Sequence, residues 1–331
     1  MTQQVGTAGV LTETQPAPIW RAFGWGVLGA LVAFLINNAL VVGWGAARLQ
    51  DMFSVGVTAA LQPILIYIVC IGAGAAASFM RPNESLRADA NRIHEFNKYL
   101  VRSLFWAVFL IGVVDAAIAV MRVESVLGLF FSPETVREFT RSAFVAPLFH
   151  FPLIVLSFII GARTKTLGFT WLALLIVGSE LLIVFTRFVF SYEQALMGDL
   201  VRYWYAALFL FASAYTLYED GHVRVDLIYA GRSSRAKGLL NTIGTLLLGL
   251  VTMWTILIIG MSGKTSIINS PVVNLEITQT GANGMFIKYQ MAAFLAIFAA
   301  TMIIQFVSYL FEAVADSRDE PGKREIVAAA H

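Results

Sequence analysis

The sequence predicts an all-α, polytopic membrane protein with about eight transmembrane helices. Of its 331 residues, 58% are hydrophobic and 13% are charged, whereas charged residues make up about a quarter of a soluble domain. The mean hydropathy is +0.74. Long apolar runs recur along the whole chain, whereas a membrane β-barrel would show alternating segments of about ten residues. These observations exclude a soluble globular fold and favour membrane-spanning helices.

The individual spans are predicted from runs of about 18 or more mostly apolar residues. The fourth run is short and is interrupted by Pro147, His150 and Pro152. Residues 1–19 are polar and lack a basic start, and the following run is too long for a signal peptide, so we expect the first span to be retained. The predicted spans are 21–47, 53–80, 100–122, 144–162, 167–190, 200–218, 236–262 and 288–315.

The distribution of basic residues predicts the orientation of these spans. If the N-terminus is cytoplasmic, most of the 23 Lys and Arg residues lie in cytoplasmic segments, as the positive-inside rule requires. Both termini are then expected in the cytoplasm. The net charge of +2 is too small to indicate a nucleic-acid partner.

Two of the connecting segments have helical patterns of their own. After Pro82, Asn83 is expected to cap a helix with Leu86, Ala90 and Ile93 on one face. We expect that helix to lie along the membrane surface, with its basic residues near anionic lipid. On the other side of the membrane, residues 132–134 read Ser-Pro-Glu, an N-cap, a first-turn proline and a favourable acid for a short helix.

Polar residues within the spans are candidates for function because they are costly in a bilayer. Asp115 and Glu180 lie near the middle of the third and fifth spans, and Arg187 follows Glu180 two helical turns later. Each acid could belong to a cation or proton site, or to a structural bridge between helices or to a partner chain. Asn37 and Asn38 in the first span are expected to form hydrogen bonds between helices.

The sequence shows no motif for soluble enzyme chemistry. It contains no phosphate-binding glycine loop, no His-Glu-x-x-His and no Gly-x-Ser-x-Gly. Its four histidines have no metal-ligand spacing, and its single cysteine, Cys70, is expected to pack as a small apolar residue. We therefore expect no enzymatic activity, no metal and no cofactor.

Four features of the second half of the chain carry a family resemblance. Residues 187–190 read Arg-Phe-Val-Phe, 199–203 read Asp-Leu-Val-Arg-Tyr, 221–226 read Gly-His-Val-Arg-Val-Asp, and the last span carries Lys288 and Gln305. In this order and spacing, they resemble the small membrane subunit, DctQ-like, of tripartite ATP-independent periplasmic (TRAP) transporters. The run ending at Asp226 is the most specific of the four.

The resemblance divides the chain into a family-like part and an extension. We expect a cytoplasmic tail over 1–20, an extension with about four spans over 21–164, a four-helix family-like core over 165–316 and a second cytoplasmic tail over 317–331. The core departs from the family pattern by having Asp199 in place of the usual Glu, and by lacking a proline early in the last helix.

The resemblance implies a role within a larger assembly in the inner membrane of a bacterium. In such systems a large, sodium-driven elevator subunit moves a small organic anion that a periplasmic binding protein delivers, and the small subunit braces the large one. It implies no catalytic site. The residues implied as structural or subunit-interface groups are Arg187, Asp199, Arg202, His222, Arg224, Asp226 and Lys288.

Two alternatives remain open from the sequence. The first is a self-sufficient ion-coupled carrier that uses Asp115, Glu180 and Arg187. The second is a membrane-bound enzyme or redox subunit, which the missing metal-ligand spacing disfavours.

Overall fold

The fold was determined as a computed structural model in which residues 17–165, 169–192, 195–218, 229, 231–278 and 280–323 are described. It is all-α, as predicted, and these residues contain no β-strand. The α-helices are α1 (Pro18–Trp44), α2 (Asp51–Ser54), α3 (Leu61–Phe79), α4 (Leu86–Val123), α5 (Pro133–Glu138), α6 (Ser142–Val145), α7 (Phe151–Arg163), α8 (Phe169–Phe190), α9 (Ala195–Tyr218), α10 (Ser234–Gly244), α11 (Val251–Gly260), α12 (Asn269–Val273) and α13 (Lys288–Ser317).

Eight helical segments of the described chain are long and apolar enough to cross a membrane, which confirms the predicted number. Six of them are single helices, namely α1, α3, α4, α8, α9 and α13. The other two are composite: α6 continues into α7, and α10 continues into α11. Eight crossings would place both ends of the chain on the same side, which we refer to by its predicted name, the cytoplasmic side.

Each composite span contains a π-helical turn. In the fourth span this turn covers Ala146–His150 and separates α6 from α7. Pro147 lies within it and Pro152 follows at the start of α7, and proline removes a backbone donor from the regular helical pattern. The span still continues from Ser142 to Arg163 over 22 residues. The two prolines therefore change the local hydrogen-bonding pattern without ending the span.

The third span is longer than predicted and corrects the surface-helix prediction. Residues expected to form a separate helix along the membrane belong to α4, which runs for 38 residues without a break. At 1.5 Å per residue it is about 57 Å long, well beyond the hydrocarbon thickness of about 30 Å. Its N-cap is Ser85, whose Oγ accepts a hydrogen bond from Ala88 N at 3.2 Å, and not Asn83 as predicted.

The apolar face at the start of α4 is covered by protein. Leu86, Ala90 and Ile93 are buried, and Ser308 of α13 donates a hydrogen bond to the Ala90 carbonyl at 2.7 Å. The prediction that these residues face the membrane surface is therefore wrong. Local periodicity identified the face correctly, but its partner is a helix more than 200 residues away in the chain.

Basic residues near the start of α4 form ion pairs within the chain. Arg87 pairs with Asp316 at 2.9 Å, and Arg92 pairs with Glu84 at 2.7 Å and Asp89 at 2.9 Å. The hydrogen bond from Arg92 lowers the pKa of Glu84 to about 2, so this pair remains ionised at neutral pH. These pairs connect α4 to its preceding loop and to the end of α13.

Two helices at the margins of the fold have few neighbours. α3 packs against α1, and α8 packs mainly against α9, whereas α4, α9 and α13 contact one another in the central core. The short helix α5 begins as predicted, since Ser132 Oγ accepts a hydrogen bond from Thr135 N at 3.4 Å.

Candidate functional site

Five buried polar side chains from four helical segments meet near the predicted periplasmic side. We call them the polar clamp: Asp115 of α4, His150 before α7, Asp199 of α9, and Tyr289 and Gln290 of α13. Asp115 and His150 have no exposed surface, and the other three are at most 7% exposed. Buried polar groups are stable only when they are hydrogen-bonded, so the partners of each group decide its role.

The π-helical turn helps to place His150 between two helices. Its Nε2 lies 3.2 Å from Oδ1 of Asp115 on α4. Its Nδ1 lies 2.9 Å from the Tyr289 hydroxyl and 3.1 Å from Gln290 Nε2 on α13. Because the Gln290 amide nitrogen is a donor, Nδ1 acts as an acceptor and the proton belongs on Nε2. This pattern fits a histidine that donates from Nε2 to Asp115.

A second residue of α9, Tyr203, is bonded to the clamp. The Tyr203 hydroxyl donates to Gln290 Oε1, and the Tyr203 side chain is fully buried. Its ring also stacks on Phe294, with ring centroids 5.3 Å apart. Tyr203 therefore fixes the Gln290 amide, which in turn orients His150.

The two acids of the clamp accept hydrogen bonds from two adjacent backbone amides in the loop before α13. Asp115 Oδ2 accepts from Phe286 N at 2.7 Å, and Asp199 Oδ2 accepts from Met285 N at 3.1 Å. Asp199 Oδ2 also accepts from the hydroxyl of Thr278 at 2.9 Å. Each carboxylate thus replaces hydrogen bonds that the loop backbone would otherwise make with water.

A glycine allows Asp199 to approach this loop closely. A Cβ atom on Gly284 would lie 1.9 Å from Thr280 Oγ1 and 2.5 Å from Asp199 Oδ2. Real Cβ contacts are not that short, so a larger residue would push the carboxylate and the loop apart.

Arg122 holds the same loop from the end of α4. Its Nε donates to the Ala282 carbonyl at 2.8 Å, and its guanidinium lies 4.0 Å from the centre of the Phe286 ring. Arg122 follows Asp115 by seven residues, so two helical turns bring both side chains to the same face of α4. That face of α4 therefore contacts the loop through an acid and a base.

Residues 176–316 match the family model of the DctQ component of tripartite ATP-independent periplasmic transporters. These residues form a DctQ-like segment. The match confirms the resemblance seen in the sequence and covers most of α8 through most of α13. No curated protein and no solved structure matches the chain. The four spans before α8 form the extension to the DctQ-like segment.

The polar clamp joins the extension to the DctQ-like segment. Asp115 and His150 belong to the extension, whereas Asp199, Tyr289 and Gln290 belong to the matched residues. A second polar contact does the same nearer the cytoplasmic side. There, Gln305 Oε1 lies 3.1 Å from His94 Nδ1 and 3.2 Å from Asn97 Nδ2 of α4. The long helix α4 is thus linked to α13 at two depths, through His150 at the clamp and directly at Gln305.

The other sequence-predicted residues near this side of the membrane lie around the clamp. Arg202 is 71% exposed, with its Nη2 4.0 Å from Asp199 Oδ1. Lys288 Nζ lies 2.7 Å from Glu276 Oε2, in the loop that the clamp holds. Both cations are on the exposed side of the network.

The two asparagines of α1 differ in their contacts. Asn38 and Asn269 exchange amide hydrogen bonds at 2.8 and 3.1 Å, so Asn38 forms the expected contact between two segments. Asn37 Nδ2 is buried and has no hydrogen-bond partner among the described residues. The structure therefore places the predicted contact at Asn38.

Glu180 and Arg187 lie away from the clamp, on exposed positions of α8. The remaining predicted interface residues, His222, Arg224 and Asp226, lie outside the described residues. The structure thus brings Asp115 and Asp199 together with the same loop and leaves Glu180 and Arg187 on a different surface.

Sequence reasoning assigned no site role to His150, Tyr203, Tyr289 or Gln290. A signal was present for one of them, because His150 lies between two prolines within a span and an ionisable residue there requires a partner. The other three are ordinary residues of amphipathic helices by pattern alone. In the structure, both ring nitrogens of His150 and both oxygens of Asp115 are occupied, an arrangement that favours structural support.

Proposed function

We propose that this protein is the small permease subunit of a TRAP transporter in the bacterial inner membrane. It would brace the scaffold of a large, sodium-coupled elevator subunit that takes up a small organic anion from a periplasmic binding protein. The DctQ-like segment supports this role, because the DctQ family is a transporter component that works with such partners. The bonded, enclosed state of the polar clamp also favours bracing over transport.

The observation that carries the proposal is an exposed acid in the middle of α8. Glu180 is exposed on this helix of 22 residues, and a carboxylate facing lipid at that depth is costly. Large apolar side chains lie on the same face of the helix: Val177, three residues before Glu180, is 55% exposed, and Val184, four residues after it, is 51% exposed. A partner helix with a hydrogen-bond donor would cover both the acid and the apolar residues.

We assign this surface of α8 to the large membrane subunit. Arg187 is exposed nearer the predicted periplasmic end of the same helix, where it would add a charged contact. Arg202 is exposed on the same side of the membrane. His222, Arg224 and Asp226 are proposed as contacts of the same subunit on the cytoplasmic side, on the basis of the family resemblance.

The alternative, a self-sufficient carrier using Asp115, Glu180 and Arg187, is less well supported. Asp115 is fully buried and bonded to His150 and to Phe286 N, whereas Glu180 and Arg187 are exposed on α8. These three residues do not form one site. The carrier hypothesis predicts uptake by this chain alone in liposomes with a sodium or proton gradient, and we expect none.

Replacement of Glu180 by Leu should weaken assembly with the large subunit. Loss of a polar contact between membrane helices costs about 0.6–2 kcal/mol, which corresponds to a roughly three- to thirtyfold weaker association. The measurement is the amount of large subunit that co-purifies with the tagged small subunit in mild detergent after co-expression. Because Glu180 is exposed, the variant on its own should keep its melting temperature.

Glu134→Leu is the matched control for this experiment. Glu134 is an exposed acid in the short helix α5 of the extension, outside the proposed interface, so its replacement should leave the yield of the complex unchanged. An unchanged yield for Glu180→Leu as well would contradict the assignment of α8. Separate migration of the wild-type chains would contradict the subunit proposal itself.

A further inference from the structure

A pocket of about 240 Å³ lies between α1, the segment around α2, α3 and α11. Its walls include Phe34 and Val41 of α1, Tyr67 of α3, and Trp254 and Ile258 of α11. It is therefore formed by the extension and the DctQ-like segment together. We call it the α1–α11 pocket.

The pocket opens at the predicted periplasmic boundary of the membrane. α1 ends at Trp44, which is 79% exposed, and Phe53 at the rim is 86% exposed. Exposed aromatic residues at helix ends are typical of the level of the lipid headgroups. Asn37 is seven residues before Trp44, which places it about 10 Å deeper along the helix. The pocket thus extends from the headgroup level towards the acyl chains.

The inner part of the pocket is apolar except for one amide without a partner. Phe34 and Trp254 meet edge to face, with ring centroids 5.8 Å apart. Asn37 Nδ2 is buried and lacks a hydrogen bond to any described residue. Asn37 lines the pocket and a buried donor left unsatisfied is costly, so a rotation of its amide towards an acceptor atom of a bound molecule would stabilise it. Its neighbour Asn38 is held by Asn269 and leaves this part of α1 fixed.

The mouth of the pocket is polar and includes one cationic side chain. Arg48 lines it and uses Nε and Nη2 on Asp51, at 3.3 and 3.1 Å. Its Nη1 makes no hydrogen bond to a described residue and lies beside Gly263. Arg48 is the charged residue among the described residues that line the pocket, and no acid is among them, so the mouth favours an anionic group.

We propose that the α1–α11 pocket binds one anionic phospholipid. Its phosphate would pair with Arg48, an ester carbonyl would accept from the rotated Asn37 amide, and the first part of an acyl chain would lie against Phe34 and Trp254. The volume of 240 Å³ suits this part of the lipid, while the remaining chain lies in the bilayer. A choline headgroup would add a cation beside Arg48 and is disfavoured.

The test is lipid binding to the purified full-length chain, measured by native mass spectrometry in detergent. Phosphatidylglycerol should bind more tightly than phosphatidylcholine. Arg48→Gln and Asn37→Leu should each weaken phosphatidylglycerol binding by about tenfold, the size expected for loss of a hydrogen bond to a charged or buried group. Leucine is apolar and a good helix former, so we expect Asn37→Leu to fold. This variant therefore tests lipid binding by the pocket even if Arg48→Gln folds poorly.

Arg141→Gln is the matched control. Arg141 pairs with Glu138 three residues away, as Arg48 does with Asp51, and it is also exposed on the predicted periplasmic side, but it does not line the pocket. Its replacement should leave lipid binding unchanged. Equal binding of both lipids, or wild-type binding by Asn37→Leu, would overturn the proposal. Displacement of phosphatidylglycerol by millimolar inorganic phosphate would show a free-anion site instead. This test is independent of the subunit role.

Discussion

Asp115→Ala is expected to destabilise the protein by about 2–4 kcal/mol, the largest effect of any single replacement considered. Two groups lose their partner at once, because Asp115 accepts from Phe286 N at 2.7 Å and lies 3.2 Å from His150 Nε2. Both remain buried in the variant, where no water replaces the carboxylate. The removal of a fully buried, doubly bonded acid therefore costs more than an average hydrogen bond between membrane helices, which contributes about 0.6 kcal/mol.

The measurement is equilibrium unfolding in mixed micelles, followed by tryptophan fluorescence. Asp115→Asn keeps an acceptor oxygen for Phe286 N and should recover part of the loss. Asp319→Ala is the control, since Asp319 forms a half-exposed pair with Arg235 and such pairs contribute about 0–1 kcal/mol. If Asp115→Ala were no more destabilising than Asp319→Ala, the clamp would not be a major source of stability.

A second measurement separates a loosened loop from general destabilisation. Asp115 holds the loop before α13, and this loop lies between Lys264 and Lys288. Limited trypsin digestion under native conditions should therefore cleave at these lysines sooner in Asp115→Ala than in the wild type. Cleavage spread equally over all exposed loops would indicate general unfolding instead.

The number of spans could be predicted because a transmembrane helix is encoded locally. About 20 apolar residues in a row are sufficient evidence, and the eight predicted spans correspond to eight helical segments in the structure. The start of α5 was also predictable, since an N-cap serine acts on an amide three residues away. In each case the decisive atoms are near one another in the chain.

The extent of α4 could not be predicted from the same kind of evidence. Its first turns contain the polar residues Asp89, His94 and Asn97, so the sequence predicted a separate surface helix, but these residues are almost fully buried in the structure. They are stabilised by distant partners, such as Gln305 for His94 and Arg21 for Asp89. Hydropathy indicates whether a segment is apolar enough to contact lipid. It does not indicate whether a polar segment is covered by another helix.

The polar clamp was predictable only in part for the same reason. Asp115 and Asp199 were singled out in the sequence, one by its position in a span and the other by the family resemblance. Both bind backbone amides of the same loop: Met285 lies 86 residues after Asp199, and Phe286 lies 171 residues after Asp115. Backbone donors have no residue-specific pattern, so no inspection of spacing could have paired these acids with that loop.

Gly74→Leu is expected to separate α3 from α1 and to destabilise their contact by about 3 kcal/mol, the upper end for overpacking. A Cβ atom at Gly74 would lie 2.3 Å from the Trp25 carbonyl oxygen of α1, and a backbone atom cannot move aside as a side chain can. The contact is reciprocal, because a Cβ at Gly29 would lie 2.3 Å from the Cys70 oxygen of α3. Small residues at both points let the two backbones approach closely.

Gly72→Leu provides the comparison that makes this result specific. Gly72 lies on the same helix, but no atom lies within 4 Å of a Cβ placed there, so its replacement should change stability by less than about 0.5 kcal/mol. The protein's single cysteine, Cys70, is partly buried beside this contact. Its rate of maleimide labelling should therefore rise in Gly74→Leu and remain near the wild-type rate in Gly72→Leu. Both replacements add a leucine to α3, but only the one at Gly74 lies on the face that contacts α1. Equal labelling in both variants would therefore contradict close packing of α3 on α1.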